Sequence, residues 1–231
     1  MFVKPTIGGG FVTPTLAWYD PSNAGSITSS AGLVTQMNDL SGQARHLTAS
    51  AGQRPTTGSF TINSLNALSF GTAGNLMQSG NITVPQPYTV LVVVKGSAAT
   101  LTSISVGHLV SVLGYNGAAS GPVGNATTGY WGIYAGTSLF NTTPVDGTAR
   151  VIGAVFNGAS SSIVLDGTTL VSGPAGAAAW SAAPIKLGGT DTDSTQSWLG
   201  LIGEVLMYSS ALSPTVYTAQ QAYLKAKWGT P

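Results

Sequence analysis

The sequence predicts an all-β fold, a two-sheet antiparallel sandwich closed by one C-terminal α-helix. Short apolar runs with a two-residue period, bounded by Gly, Asn and Pro, recur along the chain. Only residues 198–229 switch from a strand pattern to a helical one. At 231 residues the chain is long enough for a substantial core, and a sandwich of this length forms one domain. Charged residues make up 6% of it and hydrophobic ones 43%. Its polar surface is therefore built from neutral hydroxyl, amide and backbone groups.

In chain order, residues 1–14 read as an arm that precedes the sandwich. Phe2, Val3, Ile7, Phe11 and Val12 have no strand-length alternation, and Pro5 and Gly8-Gly9-Gly10 interrupt them. Such an arm is expected to anchor the protein to an assembly, and the sandwich proper to span 15–231. Strands are expected at 15–19, 65–70, 88–95, 130–135, 150–157, 162–166 and 185–187, and a loop-dominated stretch through residue 31. Asp166-Gly167 predicts a type I′ hairpin turn, because both central residues of that turn need positive φ. In 198–208, apolar residues on both alternating faces predict a strand buried on two sides. The helix is expected over 213–228. Ser213 serves as N-cap, Pro214 fits the first turn without wasting an amide, and Lys225 and Lys227 sit at the negative end of the dipole before Gly229. Val216, Tyr217, Tyr223, Leu224 and Trp228 form its broad apolar face, interrupted by Gln220 and Lys227.

Trp18-Tyr19-Asp20-Pro21-Ser22, Asp39-Leu40-Ser41-Gly42 with His46-Leu47, and Arg54-Pro55 resemble the start of concanavalin A-like, laminin-G-like sandwich modules. Residues 62–71 resemble the strand that follows. Gly203-Glu204-Val205, Tyr208, Leu212-Ser213 and Tyr223-Leu224 with Lys227-Trp228-Gly229 resemble the family's end. The sequence departs from the pattern at Met37, where an aromatic is common, at Ser64, where glycine is, and at Gly71-Thr72, which lacks a nearby acid. The resemblance implies a jelly-roll sandwich of the kind carried by phage virion and bacterial surface proteins. It gives Asp20, Asp39 and Ser41 loop-stabilising roles and makes Trp18 and Phe70 core.

Catalysis on such a scaffold needs two carboxylates flanking the scissile bond, and the chain has one glutamate, Glu204. The Glu-x-Asp-x-x-Glu strand of the family's hydrolytic members has no counterpart here. His46 and His108 have no Gly-x-Ser-x-Gly elbow to serve, so no catalytic residue is assigned and the chain is read as non-enzymatic. Asp191 and Asp193 could lend two oxygens to calcium, but their Asp/Thr/Gly-rich turn needs no metal, so no metal or other cofactor is assigned. An exposed ring could stack on a sugar face, which makes Tyr115, Trp131, Tyr134 and Trp180 carbohydrate-binding candidates. Trp131 and Tyr134 lie an odd number apart, so a regular strand sends them to opposite faces.

A net charge of +1 with scattered cations excludes an electrostatic footprint for nucleic acid. No apolar run is long enough to span a membrane, and no signal-peptide pattern opens the sequence. There is no cysteine to report on redox compartment. The expectation is a non-catalytic virion structural protein (capsid decoration, fibre or tail-associated module), made in the host cytoplasm and displayed at the virion surface. Its partners would be capsid or tail proteins, further copies of itself and a host glycan. The alternatives are a carbohydrate-binding module and, less favoured, a glycoside hydrolase.

Overall fold

A computed structural model describes residues 10–96, 106–108, 110–114, 118–125, 130–178, 180–189 and 197–231, with backbone alone for 106–125 and for residues 180 and 181. Strands are numbered along the chain. One sheet has seven strands, in the order β1 (Ala17–Tyr19), β19 (Gly200–Tyr208), β9 (Tyr88–Gly96), β15 (Ala149–Phe156), β16 (Ser161–Leu165), β17 (Thr168–Gly173), with β7 (Leu68–Phe70) also on β19. The other has ten. Its order is β14 (Ser138–Pro144), β13 (Tyr130–Tyr134), β12 (Ala118–Asn125), β11 (Val110–Gly114), β18 (Trp180–Leu187), β8 (Met77–Val84), β4 (Leu47–Thr48), β3 (Leu33–Met37), β2 (Ile27–Ser30), with β10 (Val106–His108) on β12. A small hairpin, β5 (Thr61–Ile62) and β6 (Leu65–Asn66), stands apart. All pairings are antiparallel, and the helix α1 spans Pro214–Trp228.

The architecture has three layers because the central strands are apolar on both faces. In β9, Val90, Val92 and Val94 belong to the core between the sheets, while Leu91 and Val93 belong to a second core beneath α1. In β19, Ile202, Val205 and Met207 face the first core and Leu206 and Tyr208 the second. Near-continuous apolar runs mark strands covered on both sides. The ten-stranded sheet has a different pattern. Trp131 and Ile133 of β13, and Ala183, Ile185 and Leu187 of β18, face the inter-sheet core, so the alternate residues face away from it.

The helix has the predicted ends. Ser213 Oγ accepts from the Val216 amide, Pro214 opens the first turn, and Gly229 caps the C-terminus with φ 62°. Gln220 does not interrupt the packed face. It is fully buried, with its side-chain amide 3.1 Å from the Tyr208 hydroxyl. At the β16–β17 turn, Asp166 and Gly167 have φ 49° and 93°, as the hairpin chemistry requires.

Two strand expectations need correction. Within the first 31 residues β2 is a strand and runs into β3; its Thr28, Ser29 and Ser30 are exposed, so it carries no apolar alternation to announce it. Residues 65–70 form two short strands broken at Ala67. The last residues of the arm lie on the sandwich. The Phe11 ring sits 5.1 Å from Trp18 and 4.6 Å from Tyr223, Tyr208 Oη donates to the Val12 carbonyl, and Pro14 is buried. Residues 1–9 lie outside the described residues.

Candidate functional site

The motif residues of the two chain ends meet beneath α1, where they build a closed polar network. Glu204 is fully buried on β19. Its carboxylate accepts from Trp18 Nε1 at 2.7 Å, Tyr223 Oη at 3.0 Å, Lys227 Nζ at 2.7 Å and Trp228 Nε1 at 3.1 Å. Lys227 also reaches Asp20 Oδ2 at 2.6 Å. Burial pushes the Glu204 carboxyl upward, and the Asp20 charge adds to this; Lys227 and the Trp228 indole oppose it. Burial and the Glu204 charge also push Tyr223 and Tyr208 far above the usual phenol range, so both hydroxyls stay protonated and can donate. Asp39 organises the neighbouring loop by accepting from the Trp18, Ser41 and Arg45 amides. Both Glu204 oxygens are thus occupied by donors of the fold, and the neighbouring Asp20 carboxylate shares the same lysine.

The solvent-facing surface of the ten-stranded sheet has different chemistry. Tyr130, Gly132 and Tyr134 of β13 point away from the core that holds Trp131 and Ile133. On β14, Leu139 packs against the core, and its neighbours Ser138 and Phe140 pair with Tyr134 and Gly132. Phe140 lies directly over Gly132: a Cβ there would stand 1.9 Å from the Phe140 ring, so only glycine fits. Tyr130, Phe140 and Tyr134 are each half-buried. The three rings form one strip along the β13–β14 hairpin, about 13 Å from Tyr130 to Tyr134 at about 3.3 Å per residue. Among the described residues, no hydrogen-bond partner is found for either tyrosine hydroxyl.

A polar row crosses the same sheet. Residues Thr28, Gln36, Thr48, Gln78, Lys186 and Ser111 occupy successive paired positions from β2 to β11. Continuing the β11–β12 register brings the row to Gly121, which pairs with Tyr134. Amide, hydroxyl and aromatic residues therefore occupy one face of the sheet.

The four sequence candidates separate on this geometry. Tyr134 is on the strip. Trp131 is corrected to a core residue: it is 1% exposed, with its ring 6.3 Å from that of Trp198, and has no face left for a ligand. Trp180 occupies the position opposite Val84, and its side chain lies outside the described residues. Tyr115 lies outside them too, as do Asp191 and Asp193. Tyr130 and Phe140 escaped the sequence reading. The Tyr-x-Gly-x-Tyr spacing of 130–134 was their available signal, since a glycine between two same-face aromatics marks room for a third ring. Among the described residues, no group of three or more His, Asp or Glu side chains could hold a metal.

No family model matches the sequence, and no curated protein matches it. Solved structures do match, at low identity. Domain 4 of the GH43 extracellular arabinanase AbnA from Geobacillus stearothermophilus, in complex with arabinotriose, is 14% identical with TM-score 0.66, covering 89% of this chain and 97% of that one. A Trypanosoma rangeli sialidase in complex with sialic acid is 12% identical with TM-score 0.64, covering 99% of this chain and 36% of that one. The binding domain of botulinum neurotoxin serotype G is 10% identical with TM-score 0.65, covering 93% of this chain and 54% of that one. The chain thus spans about a third of the sialidase and about half of the toxin domain. The fold they share with it is the β-sandwich.

Proposed function

We propose that the protein is a non-catalytic carbohydrate-binding sandwich. The observation that carries this reading is the strip of Tyr130, Phe140 and Tyr134 on the solvent face of the ten-stranded sheet. Partly exposed rings aligned on a rigid sheet can stack on the C–H faces of sugar rings, while flanking hydroxyls and amides meet the sugar hydroxyls. The likeness to an arabinanase domain held with arabinotriose supports the same reading. The reading includes no turnover because Glu204 is enclosed by Trp18, Tyr223, Lys227 and Trp228, and the neighbouring Asp20 carboxylate is taken up by the same Lys227.

A glycan array probed with the wild-type protein and with Tyr134→Ala tests it. Binding that is lost in the variant, with an unchanged melting temperature, is expected. Binding that persists at full strength in Tyr134→Ala would overturn the assignment. Turnover of a bound polysaccharide would overturn the non-catalytic part.

A second reading places the module on a phage particle. It is favoured by the resemblance of residues 18–22, 39–47 and 203–229 to modules of virion proteins, whereas none of the three neighbours described above is a virion protein. Mass spectrometry of purified particles tests it by presence and copy number, since hundreds of copies would mean a capsid decoration and a few would mean a tail component.

A further inference from the structure

We infer that the strip selects an uncharged, linear glycan several sugar units long, lying along β13 and β14; this rests on the carbohydrate-binding reading above. The charge argument begins in the sequence. From Gly96 to Thr148, the stretch that supplies β10 to β14, there is no lysine or arginine, and the one acid is Asp146. Asp146 is already bound to Arg150 at 2.5 Å, and the same guanidinium holds Asp166 at 3.0 Å. Among the described residues, the cation that the cross-strand register places on this face is Lys186. It lies three strand spacings from Tyr134 in the cross-strand row, about 14 Å at about 4.8 Å each, and has an interaction of its own. Other cations are committed elsewhere: Arg45 to the Leu16 carbonyl, Lys225 to the Asp166 carbonyl, Lys227 to Glu204 and Asp20. A uronate or sialate carboxylate laid on the strip would lose hydration without gaining a charged partner.

The linear argument follows from placement. Three rings succeed one another along one strand direction, with Phe140 seated over Gly132 between the two tyrosines. A single sugar covers one ring, and only a chain running with the strands covers all three. The exposed Ser138 and Thr142 and the hydroxyls of Tyr130 and Tyr134 offer neutral hydrogen-bonding groups along the way. Neutral hydroxyls bound by neutral hydroxyls need no counter-charge.

Isothermal titration with neutral linear oligosaccharides of increasing length (arabinan, β-glucan and mannan series), set beside polygalacturonate, alginate and polysialic acid, tests this at low and at high salt. A neutral series is expected to bind, gaining about tenfold in affinity for each further ring engaged, with little salt dependence. Ser138→Lys, which adds a cation opposite Tyr134, is expected to create salt-sensitive binding of the acidic polymers. Preferential binding of an acidic polymer by the wild type, abolished by salt, would overturn the inference and leave the carbohydrate-binding reading intact. So would affinity that is saturated by a monosaccharide. Neutral binding by the wild type with no gain of acidic binding in Ser138→Lys would show that the ligand sits elsewhere. No binding to either class would defeat the carbohydrate-binding reading and this inference with it.

Discussion

Glu204 has no exposed surface, yet four donors from β1, α1 and the end of α1 converge on its two oxygens. A buried carboxylate is tolerated only when paired and fully hydrogen-bonded. Its value to the fold is positional, since it pins the first strand and the last helix to the same point on β19. Glu204→Gln keeps the shape but presents an amide group to donors that need acceptors. We expect it to destabilise the protein by about 3 kcal/mol in urea titration, the scale of a broken buried pair. Asp146 is a milder case at the surface. Burial opposes its charge, but hydrogen bonds from Arg150 and the Thr148 amide outweigh this and hold its carboxyl below the ordinary value of 3.8. A folded value below the unfolded one means that its stabilisation is complete above about pH 4 and is lost as the pH falls through the lower folded value. The stability gap between wild type and Asp146→Asn should accordingly narrow on acidification in that window and stay constant at neutral pH. A gap that widens in acid would reverse the assigned sign.

At the scale of the element, α1 and β13 are each governed by which face is covered. The helix buries Tyr223, Leu224 and Trp228 on the outer side of the seven-stranded sheet. Truncation after Ser210 removes them at roughly 1.5–3 kcal/mol each and uncovers Leu91, Val93 and Leu206, so an aggregating product is expected in light scattering. A soluble truncation with the wild-type melting temperature would contradict this. In β13, Trp131→Ala should cost about 3–5 kcal/mol through a cavity in the inter-sheet core. Tyr134→Ala, three residues on and facing solvent, should cost under about 1 kcal/mol and remove glycan binding. These elements differ in how far the sequence discloses them. The helix was legible because capping is local: Ser213, Pro214, Lys225, Lys227 and Gly229 each act within a turn of their own position. Asp166-Gly167 was legible for the same reason. Strands such as β8 (Met77–Val84), β14 (Ser138–Pro144) and β2 were not, because they have one solvated face and carry Gly, Asn, Pro or Ser where that face points outward. The strip was half-legible. Alternation placed Trp131 and Tyr134 on opposite faces but could not say which was inside, and Phe140 joins Tyr130 and Tyr134 only through the β13–β14 register.

For the whole molecule, the decisive feature is that the two cores share strands. Val90, Val92 and Val94 of β9 fill the space between the sheets, while Leu91 and Val93 of the same strand fill the space under α1, and β19 is divided in the same way. Neither layer can detach without stripping one face of β9 and β19. Lifting the helix would bring Leu91, Val93 and Leu206 into water and leave Glu204 without Tyr223, Lys227 and Trp228. Phe11, wedged between Trp18 and Tyr223, extends this coupling to the segment before β1, so a deletion through residue 13 should destabilise the same unit. The chain should therefore open as one cooperative body, with helix and sandwich lost together. Hydrogen exchange followed by mass spectrometry across sub-denaturing urea checks this. Amides in the middle of α1 and those of β9 should reach the same exchange free energy and the same urea dependence, both equal to global unfolding. If α1 exchanged several kcal/mol below β9, the helix would be a separable cover on an independently stable two-sheet sandwich, and the Glu204 network would be a local latch.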